Sequence, residues 1–316
     1  VSWRYFLRRL LTVVPVLLIV TFAVFAITTL LPGNAAIMIL GENATPEAIA
    51  ALVRQLHLDQ PWYVQYARWA SGLVHGDFGM SLRLALPVSQ VVADAFANSA
   101  VLAATALVAV ILIAIPFGTL AALRRGTVLD LALSLFSYLG SALPEFVTAT
   151  LLLVFFAAPR TGPLPAGGFV APWEDFGGFA THVVLPAATL GLVLMAHIAR
   201  QVRSELLEVL GTDYVRAARL KGLAERRVIL RHALPNSLAP AVAVISLDIG
   251  YLLGGIIVVE EIFAWPGLGR LLVYALENRD LPVIQAITLL LAAVYAGSNL
   301  LADLVIAALD PRVRFA

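Results

Sequence analysis

Apolar and polar positions in this chain are sorted into long blocks rather than alternating singly. Six stretches are almost free of charge: Leu10–Leu31, Ser99–Leu123, Leu129–Ala158, Val183–Ala199, Leu238–Val259 and Pro282–Leu309. At about 1.5 Å per residue, a helix of about 20 residues crosses the ~30 Å hydrocarbon core of a bilayer. Backbone amides in hydrocarbon must be bonded within the segment, so blocks of this length predict helices, not strands. The third and sixth blocks exceed the minimum, which predicts tilt or interfacial ends.

Between the blocks the pattern changes period. After Thr45-Pro46, which reads as a cap followed by proline in the first helical turn, Ile49, Leu52, Val53 and Leu56 fall on one face of a short helix. Trp62, Tyr66, Trp69 and Leu73 repeat that spacing, and their rings suit a headgroup layer. Val88, Val91, Val92 and Phe96 predict a third amphipathic segment leading into the second span. Residues 159–181 are rich in Gly and Pro and read as irregular loop.

The basic residues supply an orientation. Fifteen of the 21 Lys and Arg lie in the N-terminal tail, the second-to-third connection, the fourth-to-fifth connection and the C-terminal tail. The other six, Arg54, Arg68, Arg83, Arg160, Arg270 and Arg279, lie in the alternate connections. Positive-inside bias therefore places both termini and loop 200–237 in the cytoplasm. The first block is too long for the apolar region of a cleaved signal and is followed by Leu31-Pro32-Gly33-Asn34, so it reads as a retained anchor. The expectation is an all-α polytopic membrane protein with six transmembrane helices and cytoplasmic termini. Its parts are the tail and first helix (1–31), an extracytoplasmic loop with short amphipathic helices (32–98), and a five-helix core (99–316).

Composition sharpens this. The chain is 61% hydrophobic and 13% charged, against about half and one quarter in soluble domains. It has no cysteine, which removes disulfides, thiolate metal sites and cysteine nucleophiles. The five histidines show no ligand spacing, so no metal site is expected. No Gly-Lys dipeptide occurs, so there is no phosphate-cradling loop for ATP. No Gly-x-Ser-x-Gly or matched serine–histidine pair suggests an enzyme, and no nucleic-acid partner is expected.

Loop 200–237 concentrates the chemistry. Gly211-Thr212-Asp213 breaks the helix that continues from the fourth span, and Asp213 is the candidate cap of a helix from Tyr214 to Lys221. Gly222 allows a sharp turn, and Glu225 to His232 predicts a second short helix ending at Leu234-Pro235. Ala217 and Ala218 offer a smooth surface to another protein, with arginines around it to position an acidic partner or anionic headgroups. A membrane-surface amphipathic loop explains the same pattern.

The spacing Ala217-Ala218-x-x-x-Gly222, nine residues, then His232-x-Leu234-Pro235 resembles the EAA loop of ABC importer permeases. Arg216 and His232 replace that loop's glutamate and isoleucine. With Tyr214, Lys221 and Asn236 these departures resemble the dipeptide/oligopeptide/nickel branch. Similarity extends to Arg8-Arg9-Leu10, Leu58-Asp59-Gln60-Pro61, Gly76-Asp77-Phe78-Gly79 with Ser81, Trp265-Pro266-Gly267-Leu268-Gly269 and Asp310-Pro311-Arg312. Asn34 and Ala36 depart from the branch's Gly-Asp-Pro.

The resemblance implies a type I ABC importer-like permease fold in a bacterial or archaeal inner membrane. It implies a second homologous permease, two ATPase subunits or domains binding ATP and Mg, and an extracytoplasmic substrate-binding protein. The loop would be a coupling helix, with Tyr214, Arg216, Ala217, Ala218, Lys221, Gly222, Leu234 and Pro235 carrying the coupling. The competing reading is a secondary transporter or channel working without an ATPase.

Asp248 and Asp303 lie deep in apolar blocks, where an aspartate costs about 3 kcal/mol at a span's centre, so each should face the bundle interior. Pathway lining, together with Gly254, is the functional reading; for both aspartates a hydrogen bond to a neighbouring helix, for example with Asn299 or Ser246, is the bland one. Gly250, Gly254 and Gly255 would allow close approach to the fifth span. Pro116, Pro144 and Pro186 are candidate kinks. The outer loops read either as a cap on the bundle or as a docking surface, with Trp69 and Trp265 as candidate contacts.

Overall fold

The computed structural model describes residues 3–30, 45–55, 59–157 and 162–309, and among them it is built of helices, with one isolated bridge pairing Met80 and Pro87. In chain order the helices are α1 (Trp3–Leu30), α2 (Pro46–Gln55), α3 (Trp62–Val74), α4 (Val88–Leu123), α5 (Val128–Ala142) and α6 (Glu145–Phe156). They continue with α7 (Phe176–Leu210), α8 (Asp213–Leu220), α9 (Glu225–Arg227), α10 (Leu234–Ile262), α11 (Leu268–Glu277) and α12 (Leu281–Leu309). The sequence motifs at Leu31–Asn34, Ala36, Leu58 and Asp310–Arg312 fall outside the described residues.

Three described helices are long and apolar enough to cross a membrane, Val88–Leu123, Phe176–Leu210 and Leu281–Val305, and the pair α5–α6 makes a fourth if it is one broken span. α1 and α10, of 28 and 29 residues, occupy the first and fifth apolar blocks.

α7 is the hub. Two thirds of its most apolar window (67%) is buried, against 22% for α4 and 17% for the last span. Its most extensive packing is with α4, followed by α10 and α5. Small residues make this possible. A Cβ on Gly191 would stand 2.9 Å from Val110 Cγ2, and one on Gly118 would stand 2.9 Å from Val202 Cβ. Without a solvent-driven hydrophobic term between helices in lipid, such close approach is what holds a bundle together.

Of the candidate proline kinks, the one at Pro144 is borne out as a full break. The third block is not one helix: α5 and α6 meet at 110° across Leu143-Pro144. Leu143 is extended (φ −82°, ψ 126°), as steric pressure from the following proline ring demands, and Pro144 then starts α6. Pro116 and Pro186, by contrast, lie inside continuous helices. The amphipathic segment at Val88 leads into the second span as expected and forms its first turns, so α4 runs for 36 residues.

Candidate functional site

At the end of the bundle where α4 and α7 finish, the chain forms an elbow. Thr212, not Asp213, occupies the cap position, with extended backbone (ψ 155°); its hydroxyl donates back to Val209 O at 2.6 Å. α8 then buries Val215 and Ala218 against Ala122, Leu206, Val228 and Ala233. Ala218 therefore faces inward, because residues three apart on a helix share a face and Val215 is already committed to the core. The opposite face presents Arg216, Ala217, Leu220 and Lys221, with Leu220 89% exposed.

Gly222 closes the helix. Its φ is +74°, and no atom lies within 4 Å of where a Cβ would stand, so the backbone conformation alone demands glycine. The N–H of Gly222 donates to Arg219 O at 2.9 Å and that of Leu223 to Ala218 O at 3.4 Å. These two bonds satisfy the last carbonyls of α8, and Leu223 packs into the same apolar cluster as Ala218.

The second half of the elbow does not stop at Leu234-Pro235. α9 passes through a widened π turn (Val228–Ala233) directly into α10. Leu234 N–H bonds five residues back, to Ile229 O. Pro235 has no N–H for an ordinary helical bond, and the wider turn lets the chain pass it without breaking.

Polar ties brace the elbow. Arg219 grips Glu225 with two bonds (2.6 and 3.1 Å), which hold the Glu225 carboxyl below its ordinary pKa of 4.5. Arg216 reaches Asp213 at 3.4 Å. Asn236 Nδ2 donates to Tyr214 Oη at 3.1 Å and to His232 O at 2.8 Å, linking α8 to the first turn of α10. Above the elbow, Arg203 forks onto Asp130 (2.7 and 2.8 Å), fixing α5 to α7.

The other candidates do not converge. Asp248 faces α7, with Oδ1 3.7 Å from His197 Nδ1, and its Oδ2 is buried without a hydrogen bond. Gly254 is six residues away on a different face of α10, exposed and open. Gly250 lies against the Tyr295 ring and Gly255 against the Glu145 carboxylate. Asp303 is partly buried on α12.

At the opposite end, Trp69 is half-buried in an aromatic cluster, 5.8 Å from Phe25 and 6.2 Å from Tyr66. Trp265 is fully buried, and this corrects its reading as a docking contact. Its indole N–H donates to Asn98 O at 3.0 Å and its ring meets Phe169 at 4.8 Å, so it is a wedge within the fold.

Sequence reasoning missed two buried carboxylates here. Glu260 accepts from Ser99 Oγ (2.5 Å), Gly269 N–H (2.6 Å) and Arg270 N–H (3.4 Å), tying the start of α11 to α4. Asp280 accepts from Ser81 Oγ (2.5 Å), Leu82 N–H (3.2 Å) and Arg83 N–H (3.3 Å). The signal for Glu260 lay in Gly267 and Gly269: a Cβ on Gly267 would collide with its carboxylate, and Gly269 crowds Ile257.

A helical bundle with long apolar helices around a hub, and a basic elbow displayed at one end, defines a multi-pass membrane component. The profile of the binding-protein-dependent transport system inner membrane component matches residues 114–315, and that of the family's N-terminal region matches residues 2–103. The dipeptide transport system permease protein of Escherichia coli is 37% identical over 334 aligned positions, covering 98% of each chain. A probable peptide ABC transporter permease protein of Sinorhizobium fredii is 36% identical over 311 residues, 98% of this chain and 99% of that one. The chain belongs to the binding-protein-dependent transport system inner membrane components, in their peptide ABC permease branch.

Proposed function

We propose that this chain forms half of the translocation pathway of an ATP-driven importer for di- and oligopeptides. In this reading six spans, α1, α4, the broken pair α5–α6, α7, α10 and α12, place both termini in the cytoplasm. A second, similar permease completes the pathway, an extracytoplasmic binding protein delivers the peptide, and two ATPase subunits or domains bind ATP and Mg. The face bearing Arg216, Ala217, Leu220 and Lys221 is the contact for the ATPase.

One observation carries the proposal: the elbow displays apolar and cationic side chains to solvent while its inner face is packed onto α4, α7 and the π turn. A part that is bare outside and locked inside can pass a displacement from a partner to the spans. The Tyr214–Asn236 tie and the unbroken path from α9 into α10 supply that connection. A motor biases the bundle only through contacts that differ between its states. A channel or secondary transporter working alone has no use for such a handle.

The natural absence of cysteine makes the test direct. Ala217→Cys, in the assembled transporter, should form a cross-link to an ATPase subunit, at a yield that changes when ATP is bound. An Ala217→Cys chain that assembles yet reaches no ATPase with any spacer refutes the proposal.

A further inference from the structure

The break between α5 and α6 lies deep in the bundle. A Cβ on Gly140, at the end of α5, would stand 3.2 Å from Leu192 Cγ, and Leu192 is at the centre of the apolar block Val183–Ala199. Along α5, Ala142 stands about 18 Å beyond Asp130, whose pair with Arg203 lies toward the elbow.

That depth matters because the break is uncovered. Ala142, Leu143 and Pro144 are exposed, and so is Phe146 at 57%. A break takes the last carbonyls of α5 and the first amides of α6 out of the helical ladder. Pro144 precedes α6 without giving it a side-chain cap. Irregular backbone at membrane depth is tolerated only where it is buried in protein or lines a water-filled cavity. Ile19, 68% exposed on the continuous helix α1, carries no such requirement and can face lipid.

Charge decides between protein and water. Arg200 Nη1 donates to Ser141 Oγ at 3.1 Å just before the break, and Glu145 opens α6 just after it. Both charged residues are half-buried. Arg200 also lines an open groove of about 360 Å³ with His197, Gln201 and Ser204, so a polar surface runs from α7 to the break. Glu145 is seated from behind, where a Cβ on Gly255 of α10 would collide with its carboxylate. A dry seam between proteins would strip water from both charges, at a cost that a water-filled space avoids.

We infer that the α5–α6 break is part of the wall of the water-filled passage, with Ala142, Leu143 and Pro144 facing the cargo as it moves. The inference rests on the importer reading and adds to it which backbone the peptide passes.

The chain has no cysteine of its own, so a single thiol reports on this wall. In the full transporter in lipid vesicles, Ala142→Cys is exposed on both sides of the membrane to a charged, water-soluble methanethiosulfonate. Its rate is compared with that of Ile19→Cys, near the centre of the first apolar block. Ala142→Cys should react roughly ten-fold faster or more, because hydrocarbon excludes both the thiolate and the charged reagent. The modified transporter should then lose ATP-driven uptake. Leu143→Cys serves in the same way if Ala142→Cys does not copurify with its partner chains. A rate no faster than that of Ile19→Cys places the break in lipid or in a dry seam and overturns the inference. Fast labelling that leaves uptake unaltered overturns it too, since the water there would lie off the cargo's path. If the unaltered complex still takes up peptide with ATP in either case, the importer reading stands and only the wall is misplaced.

Discussion

The two ends of the bundle are tied by the same chemistry in opposite settings. Where α4 begins and α10 ends, the turns are held by Glu260 and Asp280, carboxylates with no exposed surface. Where α4 ends and α10 begins, the elbow is held by Arg219–Glu225 and Arg216–Asp213, whose side chains are largely in water. Buried donors left without their acceptor are costly, whereas an exposed ion pair contributes about 0–1 kcal/mol. The first end is therefore built to stay fixed and the second to be displaced by a partner. The elbow's permanence comes from Val215, Ala218 and Val228 beneath it, not from its salt bridges.

The largest effect expected from this contrast is at Glu260. Glu260→Ala leaves the buried Ser99 O–H and Gly269 N–H without their acceptor and frees the part-buried N–H of Arg270, at a cost of about 3 kcal/mol. Thermal unfolding in detergent should show a large fall in midpoint, and the α11 amides should lose protection from hydrogen exchange. Glu260→Gln keeps the volume but turns an N–H₂ toward a donor, so it should recover only part of the loss. A midpoint within a degree or so of the parent would mean that the buried tie does not hold this end.

Asp280→Asn comes next. It keeps one acceptor oxygen but loses the charge that gathers Ser81, Leu82 and Arg83, at about 1–2 kcal/mol. The loss should be local: exchange accelerates in residues 81–87 while the elbow is unchanged. Spread of the effect to α8 would break the separation of the two ends.

At the elbow a smaller cost should have the larger functional consequence. Gly222→Val forces a β-branched residue to φ +74°, at about 1–2 kcal/mol, and no neighbour obstructs the side chain. The bundle should assemble with its partners, yet ATP hydrolysis should no longer drive uptake. Normal uptake by Gly222→Val would show that the turn's geometry is not part of the transmission.

Much of this was legible in the residues. Period and length found the long helices because burial in lipid or protein imposes both. The glycine turn was legible because few residues other than glycine adopt its φ. What escaped was set by neighbours distant in sequence. Ala217 and Ala218 look alike in a string, and only the packing of Val215 on Leu206 decides which one faces out. Trp265 reads as an exposed anchor until Asn98 and Phe169, far back in the chain, enclose it. The 110° bend at Leu143-Pro144 is local in cause, but Pro116 and Pro186 show that proline alone does not predict it.

The smallest effect tests the claim that the elbow's ion pairs are secondary. Arg219 holds Glu225 below its ordinary pKa, so the pair's contribution is fully present above about pH 4.5 and is lost as pH falls through the lower folded value. Because both side chains are exposed, the contribution is about 0–1 kcal/mol. A spin label at Ala217→Cys should therefore gain only slight mobility as the medium is acidified past that range. Glu225→Gln should show that mobility already at neutral pH and no further step on acidification from this pair. A large step that disappears in Glu225→Gln would reverse the assignment, making the salt bridge, and not the apolar contacts beneath α8, the element that keeps the elbow in place.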